Sequence, residues 1–289
     1  MLGREQWEAR GAVNAVDLEA EYNNRARVPE HPAIFARWQR DAAAFRAGHA
    51  KAELDLSYGG SERTKVDIFW SSPAREARIA LFIHGGYWRA LDKSLFSHLA
   101  AGANARGIAV AMPGYDLCPA VTLAVIIEEM REAAGWLWRR HHRRLMAAGH
   151  SAGGHLAACL VATDWAARDL PADLVTTGLS ISGLFDLAPL VGISANEEMK
   201  LDAAEARRVS PLYWELPPSA RALDAWVGGD ESGEFLRASR SISQAWGGKG
   251  IATRYVPVAG ANHFTVIDPL ADAQSALTGR LVELTRAIA

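Results

Sequence analysis

The stretch GHSAGGH, residues 149–155, flanks one serine with glycines two positions before and two after, and a third glycine stands behind. It follows the apolar run LMAAG and precedes HLAACLVAT, which has helical character, so Ser151 is expected at the tip of a strand–turn–helix. A tight turn there holds the serine in an unfavourable backbone conformation with its hydroxyl exposed. Side chains at 149 and 153 would collide with neighbouring backbone, and glycine has none. The turn also aims the N-terminus of the next helix, with its free N–H groups and partial positive charge, at the serine oxygen. Such a serine suits attack on a carbonyl, with an anion developing beside the helix end.

The pattern G-x-S-x-G in this setting resembles the nucleophile elbow of the α/β-hydrolases, in which an acid and then a histidine follow the serine along the chain. A serine hydroxyl is a poor nucleophile until a base takes its proton. His155 lies one turn into the helix behind Ser151 and cannot reach its oxygen from the proper side. His263, in PVAGANHFTV after the last expected strand, is the only later histidine and is the expected base. For the acid, Asp230 ranks first because it follows the run AWVGG directly; Asp186 ranks second and Glu231 third. Asp230 has a competing role as N-cap of the helix expected over 232–246. The loop in LFIHGGYW, 81–88, is expected to supply oxyanion donors from Gly86 and Tyr87, with Gly85 allowing the turn and the Ala152 amide completing the set. A plain turn without catalytic duty is the alternative. His84 is expected to buttress that loop. No other His, Asp or Glu lies at ligand spacing from it, so no metal and no cofactor are expected. Trp88, one of ten tryptophans, faces an aromatic substrate or packs in the core.

These residues need a sheet to hold them. RIALFIHGG, GIAVAMPGY, RLMAAGHS, LVTTGLSISG, ALDAWVGGD and TRYVPVAG are short apolar runs ending in glycine or a polar residue. Helical stretches separate most of them, at 94–106, 120–142, 152–163 and 232–246. Continuous apolar strands alternating with helices indicate an α/β protein with a mostly parallel central sheet covered by helices on both faces. AELDLSYG and TKVDIFWS alternate apolar and polar residues, as half-buried strands do. Residues 1–50 read as a helical N-terminal extension of two helices, and LADAQSALTGRLVELTRAIA as a closing helix. Residues 186–218 are longer than a simple crossover and carry prolines at both ends, which suggests a small cap insertion at the sheet's C-terminal edge. The whole chain, 1–289, is expected to form one domain.

Composition narrows the classes further. There are 31 basic and 33 acidic residues, so nothing marks a nucleic-acid partner. The run RRHHRR, 139–144, reads as the solvated end of a helix. Two cysteines are too few for a disulfide framework. The N-terminus lacks the apolar core of a secretory signal, and no run approaches the roughly 18 apolar residues of a membrane span. The expectation is a soluble cytoplasmic protein acting on a small molecule, with a homodimer left open.

Several segments together resemble the kynurenine formamidases (arylformamidases) of the α/β-hydrolase superfamily and their bacterial relatives. HGGYW is similar to that family's HGGxW motif, and GHSAGGHLA to its elbow. ISGLFDLAPL with RRVSPL, GGDESGEF, NHF and the N-terminal EYNNRARVPEH also resemble family segments, so the likeness covers nearly the whole chain. It implies a triad of Ser151, Asp230 and His263, oxyanion donors in the HGGYW loop, and metal-free hydrolysis of an aryl formamide such as N-formylkynurenine. Carboxylesterases share most of these motifs, so a short-chain carboxylesterase is the other expectation.

Overall fold

The computed structural model describes residues 16–71 and 78–288. The strands are β1 (Ala52–Ser57), β2 (Lys65–Phe69), β3 (Arg78–Ile83), β4 (Ile108–Pro113), β5 (Leu145–His150), β6 (Val175–Ile181), β7 (Ala222–Gly228) and β8 (Ala252–Val258). They form one sheet in the order β1-β2-β4-β3-β5-β6-β7-β8. The pairs β1/β2 and β2/β4 are antiparallel and the remaining pairs are parallel. Each of the six continuous apolar runs becomes a strand of the parallel part. Its centre explains the composition: every residue of β3, β4 and β5 except Arg78 is buried, leaving no solvated face for polar side chains.

The helices are α1 (Leu18–Tyr22), α2 (Asn24–Arg27), α3 (His31–Gly48), α4 (Ala100–Ala105), α5 (Leu123–His141), α6 (Ala152–Val161), α7 (Asn196–Met199), α8 (Ala203–Arg208), α9 (Gly233–Gly247) and α10 (Ala276–Arg286). They cover both faces of the sheet. Along β3, Ile79, Leu81 and Ile83 enter the apolar layer that contains Ile126 of α5, Leu156 of α6 and Phe235 of α9. The alternate residues Ala80 and Phe82 enter the layer with Trp38 of α3, Ala100 of α4 and Leu281 of α10. Start signals are local: Thr122, Ser232 and Ser275 each accept a hydrogen bond from the amide three residues on, opening α5, α9 and α10.

Three expectations change. The closing helix begins only at Ala276, because a short 3-10 turn over Thr265–Ala271 precedes the Ser275 cap. The first expected helix begins in residues 1–15, outside the described residues, and from residue 16 onward it is two short helices, α1 and α2. β2 is not half-buried, since Val66 through Phe69 are all buried. The alternation that suggested a solvated face came from Asp67, whose carboxylate is satisfied internally by Arg46, by Lys93 at 2.8 Å and by the Asp55 amide at 2.8 Å. Asp55 sits at a register shift in the β1/β2 pair with φ +56.

Within 186–218, Leu187, Leu190, Leu201, Ala206 and Val209 are packed into the main apolar layer. Only residues 193–195 of this segment reach the cavity described below. No described helix is long and apolar enough to cross a membrane.

Candidate active site

Ser151 stands at the junction of β5 and α6 with φ +56 and ψ −118. This left-handed conformation is strained for a residue with a side chain. Its neighbours permit it by being small. A Cβ on Gly149 would lie 2.1 Å from the Gly153 carbonyl oxygen, and one on Gly153 would lie 1.9 Å from the Ile83 oxygen. The two glycines therefore let β5, α6 and the end of β3 meet at the serine.

The Ser151 hydroxyl donates to Nε2 of His263 at 3.1 Å, and Nδ1–H of His263 donates to Oε2 of Glu231 at 2.6 Å. This arrangement corrects the first-ranked acid. Asp230 is exposed in the turn after β7, with its amide tied to the Ala261 carbonyl, while Glu231 turns inward one residue later. The longer Glu231 side chain is wholly buried and reaches the imidazole. Its other oxygen accepts from the Gly228 amide at 2.6 Å and the Ser182 hydroxyl at 2.5 Å, so each oxygen of the buried carboxylate has a donor. Asp186 lies elsewhere, accepting from the Ala188 amide. Asp230 is not the cap of α9 either; Ser232 holds that place.

The loop after β3 lies against the serine. Gly86 has φ +119, and a Cβ there would lie 2.1 Å from the Ala90 oxygen, so only glycine fits. Gly85 packs so closely on β5 that a Cβ would be 2.9 Å from the His150 oxygen. Among the described residues, no acceptor takes the amides of Gly86, Tyr87 or Ala152. His84 buttresses this loop: its Nδ1–H donates to the Gly85 carbonyl at 2.7 Å, and its ring stacks on Tyr115 with centroids 4.3 Å apart. Trp88 does not face the cavity. It is wholly buried beneath the loop, edge-on to His155 at 5.1 Å, because two successive left-handed residues turn it inward.

A cavity of about 140 Å³ opens on Ser151 and His263. Its apolar walls come from Phe35 and Trp38 of α3, with Phe96, Phe264 and Tyr87. Two contributors carry no signal in the motifs: the stretch from Tyr22 to Arg25, and His150. The N-terminal residues Tyr22 to Arg25 line the cavity, and the buried Asn24 amide nitrogen there has no partner among the described residues. His150, next to the nucleophile, donates from Nε2 to the His263 carbonyl at 2.7 Å and holds the histidine loop. Only the position of His150 beside the serine could have flagged it.

Three buried histidines make a stability prediction. Burial holds the His84 and His155 rings down at about 4, and His150 well below the usual value of 6.5. Below that ordinary value the unfolded chain binds more protons than the folded one, so the stabilisation is complete above about pH 6.5. It is lost as the pH falls toward the folded-state values. Glu129, raised by burial to about 7, opposes this trend with a single group. The urea midpoint is therefore expected to fall steadily between about pH 6.5 and 4, by the equivalent of several kcal/mol. A midpoint that stayed flat across this window would contradict three neutral buried imidazoles.

Comparison with known proteins agrees with this architecture. A family model for the α/β-hydrolase fold matches residues 80–283. A kynurenine formamidase of Danio rerio is 29% identical over 255 residues, covering 84% of this chain and 87% of the relative. One of Drosophila melanogaster is 27% identical over 73% of this chain and 75% of its own. A crystal structure from Silicibacter sp. TM1040, provisionally described as a thioesterase, is 35% identical with a TM-score of 0.82, covering 94% of this chain and 100% of that one. An esterase of Pyrobaculum calidifontis shares the fold at 17% identity and a TM-score of 0.70, covering 89% of this chain and 94% of its own. With an eight-stranded sheet, a serine elbow and a match spanning most of its length, this chain belongs to the α/β-hydrolase family and is a hydrolase similar to the kynurenine formamidases.

Proposed function

We propose that the protein is an arylformamidase that removes the formyl group from an aryl amide such as N-formylkynurenine. The observation that carries the chemistry is the hydrogen-bonded chain from Ser151 through His263 to Glu231. In this reading Oγ of Ser151 attacks the formyl carbon while Nε2 of His263 takes the hydroxyl proton. The oxyanion rests on the amides of Gly86, Tyr87 and Ala152. Collapse breaks the carbon–nitrogen bond, His263 returns the proton to the leaving aryl amine, and a formyl ester remains on Ser151. Water, deprotonated by His263, then releases formate and restores the serine. Glu231 fixes the imidazole tautomer and stabilises the imidazolium.

The aromatic walls of the cavity suit an aryl leaving group, and a formyl group needs almost no acyl pocket. The relatives named kynurenine formamidase support the substrate. The Silicibacter relative favours a second reading, hydrolysis of short-chain acyl esters or thioesters at the same site. Turnover of N-formylkynurenine measured beside p-nitrophenyl acetate and butyrate separates the two. Faster deformylation is the expected result. Fast butyrate hydrolysis with no deformylation would replace the first reading by the second.

A further inference from the structure

Gly86, Tyr87 and Trp88 follow one another with φ of +119, +50 and +55. Two of the three carry side chains, and such backbone persists only where surrounding structure fixes it. Below the loop, the Trp88 carbonyl accepts from the Cys118 amide at 2.9 Å. Above it, the Tyr87 hydroxyl donates to the Tyr22 carbonyl at 2.6 Å.

The helix that supplies this carbonyl is itself tied to the other loops of the site. The Tyr22 hydroxyl donates to Glu234 at 2.8 Å, and Glu21 accepts the Glu234 amide at 3.0 Å, at the start of α9 just after Glu231. The Tyr22 ring meets Phe235 edge-on at 5.8 Å, and Phe235 lies 4.6 Å from the His263 ring. Glu19 accepts from both the amide and the hydroxyl of Ser194, each at 2.8 Å. One five-residue helix thus joins the loops that carry the oxyanion donors, the acid and residues 193–195.

Resting on the function proposed above, we infer that α1 is a clamp on the oxyanion loop, and that the Tyr87 hydroxyl is a positioning group holding the Tyr87 amide where the oxyanion forms. The hydroxyl touches no reacting atom; it acts through the backbone it restrains. A donor displaced by about 1 Å loses much of its effect on a developing charge while leaving ground-state binding nearly intact.

Tyr87→Phe keeps the ring and the amide and removes only the tether. The expected result is a fall in kcat of between about 10- and 100-fold, with KM changed by less than about 3-fold. Affinity for phenylboronic acid, which forms a tetrahedral adduct on the serine, falls in step with kcat/KM. Tyr22→Phe loosens the clamp from the α9 side. Its effect is smaller and less than additive with Tyr87→Phe, because both act through one restraint. Wild-type kcat and boronate affinity in Tyr87→Phe, or strictly additive effects in the pair, would overturn the clamp. Ser151→Ala run in parallel separates the two ideas. If that variant stays active, the proposed function fails and the clamp with it. If it is inactive while Tyr87→Phe is unimpaired, the clamp alone is overturned.

Discussion

Ser151→Ala is expected to lower kcat on N-formylkynurenine by on the order of 10³-fold or more, leaving a residual rate from the oxyanion amides and binding alone. KM changes little, since the hydroxyl contributes chiefly to the transition state. The variant should also lose covalent labelling by a fluorophosphonate, which the wild type takes up at the same serine. The geometry makes this sharp. Ser151 is the residue at the elbow, strained at φ +56, and its hydroxyl is the one bonded to His263 at 3.1 Å. A wild type that resists the fluorophosphonate, or a Ser151→Ala variant with undiminished turnover, would leave a hydrolase fold without serine chemistry and favour a binding role.

The second large effect separates two adjacent carboxylates. Glu231→Gln keeps the length of the side chain but removes the charge that fixes the His263 tautomer, and kcat is expected to fall by about 10³- to 10⁴-fold. Asp230→Asn alters an exposed turn residue and is expected to leave kcat within about 2-fold of wild type. The pair is a direct comparison because both changes are carboxylate to amide, one position apart. The reverse pattern, an impaired Asp230→Asn and a healthy Glu231→Gln, would return the acid role to Asp230. Circular dichroism on Glu231→Gln guards against a trivial cause, because Gly228 and Ser182 also depend on that side chain.

Much of this could be read in advance where local chemistry decides the structure. The continuous apolar runs became strands because a sheet covered on both faces admits little else, and GHSAGGH became the elbow because no other residue fits at 149 or 153. His263 was legible by elimination. The acid was not, because choosing between Asp230 and Glu231 depends on how the turn after Gly228 rolls. That roll is set by long-range bonds, Gly229 to the Val258 carbonyl and Asp230 to the Ala261 carbonyl. The choice between substrate and core for Trp88 stayed open for a related reason: its direction follows from two left-handed residues that no periodicity announces. The cavity walls from α3 and from Tyr22 to Arg25 lie more than 100 residues from the serine, and a pattern along the chain carries no sign of that approach.

The two outer strands bear on how copies of this chain meet. Unpaired strand edges invite sheet-to-sheet addition, and proteins blunt them with charges, bulges and proline. On one side, β1 is six residues long, carries Glu53 and Asp55, and is broken by the register shift between Glu53 and Leu56. On the other, β8 carries Arg254 and Pro257, and the proline has no N–H to offer a newcomer. Edge-to-edge joining of two sheets is thereby disfavoured at both margins of the described sheet.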